Sequence, residues 1–379
     1  MDKDRVLIAG AGPVGLTLAL ALHRAGVPVA VFEKRSTLNE ASRASTWHPP
    51  TLEILDRLGV LGPLLPRGVR VDRIAWLRAG QGLAAAMELS LLSSRTKFPF
   101  RWHFEQARAT PALLAALPPG MVRFGAEVVG FETSGASVAL HLAGGMREAG
   151  RLAVAADGAH SVLRDAAGIG VERGAYGHRV LRLVTPLALE DFVPGLAGAG
   201  IAYVFDGESS ISLLKMPGVW RIIIRVPAAT TDEAAREPGF RVPILRRFFP
   251  GLPDPLPLAD MDVYGVAKGI AATMRAGPVL VAGDAAHVTN TRGGMNMNAG
   301  LHDAATLAAT IAAGGHLDRW AAARERVTRD VLLERTDRAV ATGAAWLDAA
   351  IADAADPLRA TAWLAGGAML DTAHEGAPA

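Results

Sequence analysis

Cysteine is missing from all 379 residues, which excludes a disulfide framework and any redox chemistry based on thiols. A dominant sign of charge is missing too. Lysine and arginine total 39 against 37 acids, a net charge of +2, and the basic residues are mostly arginines scattered among acids. That pattern offers neither a nucleic-acid stripe nor a polybasic membrane segment, so no nucleic-acid partner is expected. No uninterrupted apolar stretch reaches the ~20 residues that a membrane-spanning helix needs, and no stable membrane insertion is expected. His and Cys show no metal-ligand spacing, and neither a Gly-x-Ser-x-Gly nucleophile elbow nor a Walker loop is present. No metal site is therefore expected, and a bound cofactor must carry any reaction. There is no convincing repeat and no long disordered tract, only a short Gly/Ala/Pro tail at 375–379. What remains is a chain half apolar, long enough for two domains with substantial cores.

Near the start stands Gly10-Ala11-Gly12-Pro13-Val14-Gly15. Arg5 to Ala9 before it is of strand type, and Leu16 to Arg24 repeats apolar residues at helical spacing until Gly26. Gly10 allows the strand-to-helix bend, Gly12 lets backbone approach a pyrophosphate, and Gly15 brings helix close to strand. The helix start, with Pro13 and Val14, offers free N–H groups and a positive dipole end to phosphates. Val27 to Phe32 reads as the second parallel strand. Glu33 at its end, followed by Lys34, lies roughly 20 residues beyond the glycines, where a carboxylate accepts hydrogen bonds from a ribose diol and repels a 2′-phosphate. The occupant is then the AMP half of FAD, or NAD, rather than NADP. Lys3 and Arg5 before an apolar stretch with Ala19-Leu20-Ala21 also match a secretory signal, whose cleavage would discard the glycines. A cytoplasmic address is simpler.

Two later segments end apolar runs in aspartate. Asp157 follows Leu152 to Ala156 in Asp157-Gly158-Ala159-His160-Ser161, and Asp284 follows Val279 to Ala282 in Gly283-Asp284-Ala285-Ala286-His287. Strand ends are where open α/β sheets bind ligands, although Asp-Gly and Gly-Asp also serve as plain turns.

Read together in this order, the motifs make the chain similar to the single-component (class A) FAD-dependent aromatic hydroxylases, the para-hydroxybenzoate hydroxylase-like family, over most of its length. Ser42-Arg43-Ala44 and the stretch from Pro50 to Gly59 resemble that family's flavin-contacting arginine and the helix after it. Gln106 matches a glutamine that touches the cofactor, Asp157 through Ser161 and Arg164 match a motif associated with FAD and NAD(P)H, and Asp284 matches the aspartate of the ribityl and pyrophosphate region. His287 is expected to be structural. Where the family has a Pro-Pro loop and a Gly-Gln-Gly-Met-Asn-like helix start, this chain reads Asn290-Thr291-Arg292-Gly293-Gly294-Met295-Asn296-Met297-Asn298. Asn290 and Thr291 make the loop less rigid and more polar. Asn296, in place of a glycine, tolerates a left-handed backbone. The following helix is expected to begin near Met297 or Asn298, with Asn298 as its cap and Gly294 beside it, and its dipole would favour a reduced anionic flavin.

The resemblance implies an α/β fold: a Rossmann-like FAD-binding domain of glutathione-reductase type, an interleaved β-sheet substrate domain and C-terminal helices. The FAD-binding domain would comprise 1–70, 100–175 and 265–330, the substrate domain 71–99 and 176–264, and the helical region 331–379. Val71 to Leu77 and Leu83 to Leu89 read as a strand pair; Val180 to Thr185, Ile201 to Phe205, Ser210 to Met216 and Val219 to Val226 read as a strand-rich block. Trp320 to Ile351 reads as one long or two shorter helices that could support a homodimer. By resemblance, NADPH or NADH reduces FAD, O₂ forms a flavin C4a-hydroperoxide, and an aromatic or phenolic substrate takes the distal oxygen. Catalytic pocket candidates are Arg292, His48, Tyr203 and Trp220, with Trp102, His103 and Tyr264 as further lining. A flavin-dependent reductase or dehydrogenase, or a non-catalytic flavin-binding relative, shares the same motifs; a halogenase fits less well, because its Trp-x-Trp-x-Ile-Pro-like signature is missing.

Overall fold

The computed structural model describes residues 4–41, 44–135, 137–207, 209–340 and 344–378. Its first sheet has six strands in the order Arg275–Ala276, Val279–Val281, Leu152–Ala155, Val6–Ala9, Val29–Glu33 and Val122–Phe124. All pair in parallel except the antiparallel edge pair of Arg275–Ala276 with Val279–Val281. Every residue of Val6–Ala9 and Leu152–Ala155 is buried, the continuous apolar run that a parallel sheet covered on both faces requires. Helices Pro13–Arg24 and Met295–Ala312 pack against each other within the same core. An antiparallel meander, Val128–Ser134, Ser137–Leu142 and Arg147–Gly150, adds Val138, Leu140 and Leu142 to it. No motif pointed to this meander in advance.

The second sheet has eight strands: His287–Val288, Asp260–Ala271, Val171–Thr185, Val219–Pro227, Ser209–Met216, Ile201–Asp206, Arg73–Arg78 and Gly82–Glu88. Pairing is antiparallel throughout, apart from the parallel contact of Ile201–Asp206 with Arg73–Arg78. Strands Val171–Thr185 and Asp260–Ala271 each run through a boundary drawn from the sequence, at 175/176 and 264/265.

Side chains alternate between the faces of a strand, and here the alternation decides what can reach a ligand. Leu181, Leu183, Ile211, Leu213, Trp220, Ile222 and Ile224 face a core shared with helix Pro238–Phe248. Their neighbours Val180, Arg182, Ser210, Ser212, Arg221, Ile223 and Arg225 face a cavity. A third sheet, Thr46–Trp47, Arg101–His103 and Val69–Val71, lies nearby in sequence to both.

The C-terminal region is more broken than the sequence reading anticipated. Helix Leu317–Arg326 continues through a π-helical stretch, Val327–Leu332, into Leu333–Ala339, and Ala344–Ala354 follows. A further helix, Pro357–Gly367, is capped by the Asp356 carboxylate and begins with proline, the residue best suited to a first helical position. Trp363 and Trp346 from these helices pack on Trp76 of the larger sheet, with ring centroids 5.1 and 6.5 Å away. No described helix is long and apolar enough to cross a membrane.

Candidate functional site

A cavity of about 650 Å³ runs from the glycine turn at 10–14 to the polar face of the eight-stranded sheet. Gly10 has φ +101°, and a Cβ there would lie 2.3 Å from the Ala156 carbonyl oxygen. Gly15 is equally constrained, since its Cβ would meet the Gly10 carbonyl oxygen at 2.1 Å. Gly12 differs: a Cβ on it would touch nothing within 4 Å, and it would project into open space at the cavity wall. Gly12 is also the cap residue of helix Pro13–Arg24, with no side chain accepting from the helix's first N–H groups. Those donors are left for a ligand.

Glu33 ends its strand with Oε2 accepting from the Ala11 N–H at 2.9 Å and Oε1 accepting from the Arg35 N–H at 3.0 Å. It braces the glycine turn as well as lining the cavity, together with Lys34 and Gln106, the first residue of helix Gln106–Ala115. Arg43 lies outside the described residues. Asp157 Oδ2 accepts from the Val162 and Leu163 N–H groups, while Oδ1 is buried without a partner; burial outweighs these bonds and pushes its carboxyl up. Arg164 is no surface residue. It is buried and donates to the carbonyls of Ala159 and Ala285, tying the two aspartate turns together.

Asp284 sits in a 3₁₀ turn, Gly283–Ala285, and accepts from Asn296 Nδ2 at 2.9 Å. Burial pushes its carboxyl up against the opposing pull of His287 and Asn296. Behind it lies a fully buried cluster. His287 Nδ1 donates to Asn296 Oδ1 at 3.1 Å, and Nε2 donates to Asp303 Oδ2 at 2.8 Å. Asp303 also accepts from Arg324 Nε at 2.7 Å and from the Gly283 N–H at 3.1 Å. With acceptors at both ring nitrogens, His287 is an imidazolium: burial would lower its pKa, but Asp303 outweighs burial and raises it. Burial would likewise lift the Asp303 carboxyl, and Arg324 with His287 holds it well below the usual carboxylate range.

The helix after Gly294 corrects three expectations. It begins at Met295, not at Met297 or Asn298, and its cap is Gly294 at φ +67°. Asn296 lies in the first helical turn with no left-handed backbone; Gly293 and Gly294 take the positive φ angles instead. Asn298 is no cap: its Oδ1 accepts from the His48 N–H, and its Nδ2 donates to the carbonyls of Thr46 and Gly294. Asn290 has replaced proline stiffness with bonds, donating to the Thr336 carbonyl at 2.6 Å and accepting from the Arg292 N–H at 3.0 Å.

Of the pocket candidates, Arg292, Tyr203 and Tyr264 line the cavity; His48, Trp102, His103 and Trp220 do not. His48 is fully buried with Nε2 against the Gly293 carbonyl, and burial, aided by Arg101, keeps it neutral. His103 lies against the Lys215 carbonyl, lowered by burial to about 4, and Trp102 donates to the Leu65 carbonyl. Trp220 is on the opposite face of its strand, its indole bonded to Glu190. Gly15 and Asn298 support the walls from behind. Sequence reasoning missed Arg101, Arg182, Ser210, Arg221 and Arg225, all on the cavity wall. The signal was there: Arg221 and Arg225 flank Ile222-Ile223-Ile224 four residues apart, hence on one face of the strand.

A family model described as an FAD binding domain matches residues 3–332. The chain is 31% identical over 320 residues to the para-nitrophenol 4-monooxygenase of Pseudomonas sp. (strain WBC-3), covering 82% of this chain and 78% of that protein. It is also 31% identical over 319 residues to the 6-hydroxy-3-succinoylpyridine 3-monooxygenase of Pseudomonas putida (strain DSM 28022 / S16), at 82% and 79% coverage. The crystal structure of p-nitrophenol 4-monooxygenase from Pseudomonas putida DLL-E4 shares the fold with a TM-score of 0.86 at 24% identity, over 99% of both chains. The chain belongs to the FAD-dependent aromatic hydroxylases. Its six-stranded sheet is the Rossmann-like FAD-binding unit of that family, and the protein is an FAD-dependent monooxygenase. The residues present fit the cofactor: an uncapped helix N-terminus, an open Cβ position at Gly12 and an orphaned carboxylate oxygen on Asp157 all face or border one cavity.

Proposed function

We propose that the protein hydroxylates an aromatic or phenolic small molecule with NADPH or NADH and O₂, one oxygen atom entering the ring and the other leaving as water. The observation that carries this reading is the continuity of one cavity from the glycine turn to a wall of arginines and tyrosines on the larger sheet. FAD, when bound, would supply the redox chemistry between nicotinamide and O₂ that side chains lack.

The protein's own residues bind and orient. The N-terminus of helix Pro13–Arg24, reached across Gly12, Pro13 and Val14, holds the pyrophosphate; Glu33 with Lys34 holds the ribose end; Gln106, Asp157, Asp284 and Arg43 complete the cofactor set. The start of helix Met295–Ala312, at Gly294, Asn296 and Met297, presents its positive dipole end to the ring system. Arg101 and the Tyr203 hydroxyl share one wall of the cavity, where a cation and a phenol hydroxyl are both available to a substrate oxygen. The apolar walls at Val180, Ile201, Ile223 and Met297 keep water from the reacting centre.

The same reading gives 1–70, 100–175 and 265–330 to the cofactor, 71–99 and 176–264 to the substrate and 331–379 to closing the assembly, with strands Val171–Thr185 and Asp260–Ala271 crossing from one part to the other. It places the protein in the cytoplasm, where NAD(P)H is regenerated, and gives the C-terminal helices to a homodimer that sedimentation would register. The reading is tested by NAD(P)H consumption of the yellow protein with a panel of phenols: a phenol that accelerates consumption and is converted mole for mole to its hydroxylated product supports it. Acceleration with hydrogen peroxide as the sole oxygen product contradicts it.

A further inference from the structure

The chain has no cysteine, so methionine thioethers are the side chains that a peroxide oxidises most readily. Its methionines are placed very differently. Met87, Met216, Met274, Met295 and Met369 are buried, none more than 4% exposed. Met121 and Met261 are half-buried and do not line the cavity. Met146 stands 58% exposed in the turn before strand Arg147–Gly150. Met297 is the one methionine among the described residues that lines the cavity.

Met297 belongs to the first turn of helix Met295–Ala312, beside Gly294 and Asn296 on the same wall. It is half-buried, packed on one side against the core of the FAD-binding unit. Two positions along a helix amount to about 200° of rotation, so Met295 turns the other way, into a buried cluster with Val327, Leu332 and Met369. One helical turn thus carries a thioether at the cavity and another sealed from it.

Hydrogen peroxide left by O₂ and reduced FAD when no substrate is seated starts inside this cavity. A single molecule confined to 650 Å³ is at an effective concentration of about 2.5 M, far above any bulk level it reaches after escape. Neighbouring guanidinium, phenol and imidazole groups on the wall are much slower to react with it. The Met297 sulfur is therefore the first oxidisable atom on the way out.

We propose that Met297 is an oxidation site fed from within the cavity, converted to its sulfoxide by hydrogen peroxide formed there in the absence of substrate. The sulfur gains one oxygen and gives up two electrons; the peroxide O–O bond breaks, a proton shifts between its oxygens, and the second oxygen leaves as water. The sulfoxide puts a polar acceptor on a wall that otherwise keeps water out. This rests on FAD and O₂ meeting in this cavity, and not on which ring is hydroxylated.

The test cycles the FAD-loaded enzyme without aromatic substrate: anaerobic reduction with an equivalent of dithionite, then air, with catalase present, then peptide mass mapping. Catalase clears peroxide from solution and is too large to follow it into the cavity. Met297 is expected to gain one oxygen atom at least about tenfold faster than Met146, with Met295 unchanged. Hydrogen peroxide added to the oxidised enzyme without catalase should reverse the order, Met146 ahead of Met297. Oxidation of Met297 no faster than Met146 during cycling, or the same order under both treatments, would overturn the site. Met297 oxidation in a protein that hydroxylates no phenol would keep the site and sink the hydroxylase reading. Hydroxylation by an enzyme whose Met297 stays intact through cycling would do the reverse.

Discussion

Replacing Asp303 with Asn tests whether the buried cluster behind Asp284 works as the structure implies. Asp303 is completely buried between His287 and Arg324, so the change leaves both cations facing an amide in a site without water. Removing one partner of such a network costs about 3–5 kcal/mol. Unfolding entropy of about 2.1 cal/mol/K per residue gives a 379-residue chain about 0.8 kcal/mol/K, so the loss corresponds to about 4–6 °C in Tm. The pH dependence is more diagnostic than the size. His287 has a pKa raised on folding, so its contribution is complete below the unfolded value of about 6.5 and fades as pH rises through the folded value. Asp303 has a pKa lowered on folding, so its contribution is complete above about 4 and fades only in stronger acid. In Asp303→Asn the main counter-charge of His287 is gone, so burial acts against only the Asn296 oxygen and the Asp284 carboxylate and lowers the pKa, which reduces the loss at high pH. Thermal unfolding of wild type and variant followed by circular dichroism should therefore show the largest gap near pH 5–6, narrowing toward pH 9. A gap that stays constant or widens with pH would refute the imidazolium assignment.

Gly10→Ala and Gly12→Ala should separate fold from cofactor. The first places a methyl 2.3 Å from a carbonyl oxygen at φ +101° and should cost about 2–4 kcal/mol of stability. The second meets open space, so the flavin-free protein should melt within about 1 kcal/mol of wild type while FAD affinity falls at least tenfold, read by equilibrium dialysis. Asp284→Ala should weaken FAD by about 1–3 kcal/mol, and unchanged flavin retention would remove Asp284 from the cofactor site. Trp220→Phe loses the bond to Glu190 and should cost about 1–2 kcal/mol of stability without altering any aromatic ligand's affinity, because the indole faces away from the cavity.

The legible parts of this chain were those where ligand chemistry dictates residue type at fixed spacing. Gly10, Gly12 and Gly15 could be assigned separate tasks because each is set by backbone geometry; in the structure a Cβ is sterically excluded at Gly10 and Gly15 and meets open space at Gly12. The strand block was legible from alternation, but the face was not. Trp220, Ile222 and Ile224 and the opposite pair Arg221 and Arg225 share one strand, and only the packing of helix Pro238–Phe248 fixes which side is core. His48 and His103 were pocket candidates because they are polar-tipped and sit near motif ends or on sheet-domain strands; both spend a ring nitrogen on a backbone carbonyl. The shifted start of helix Met295–Ala312 came from reading Asn296 as a glycine substitute, when two glycines just before it already supply the positive φ angles. The meander at 128–150 was signalled by alternation in Val138, Leu140 and Leu142 and by Gly144-Gly145, and no cofactor motif drew attention to it.

The central claim is that FAD held at the glycine turn delivers one atom of O₂ to an aromatic ring at the far wall of the same cavity. Turnover of the FAD-loaded enzyme with NAD(P)H and an accelerating phenol under ¹⁸O₂, with product mass measured, addresses it directly. The account predicts one ¹⁸O atom in the hydroxylated ring and one equivalent of NAD(P)H consumed per product. A product whose oxygen comes from water, or NAD(P)H consumed with hydrogen peroxide alone across the phenols, would contradict it.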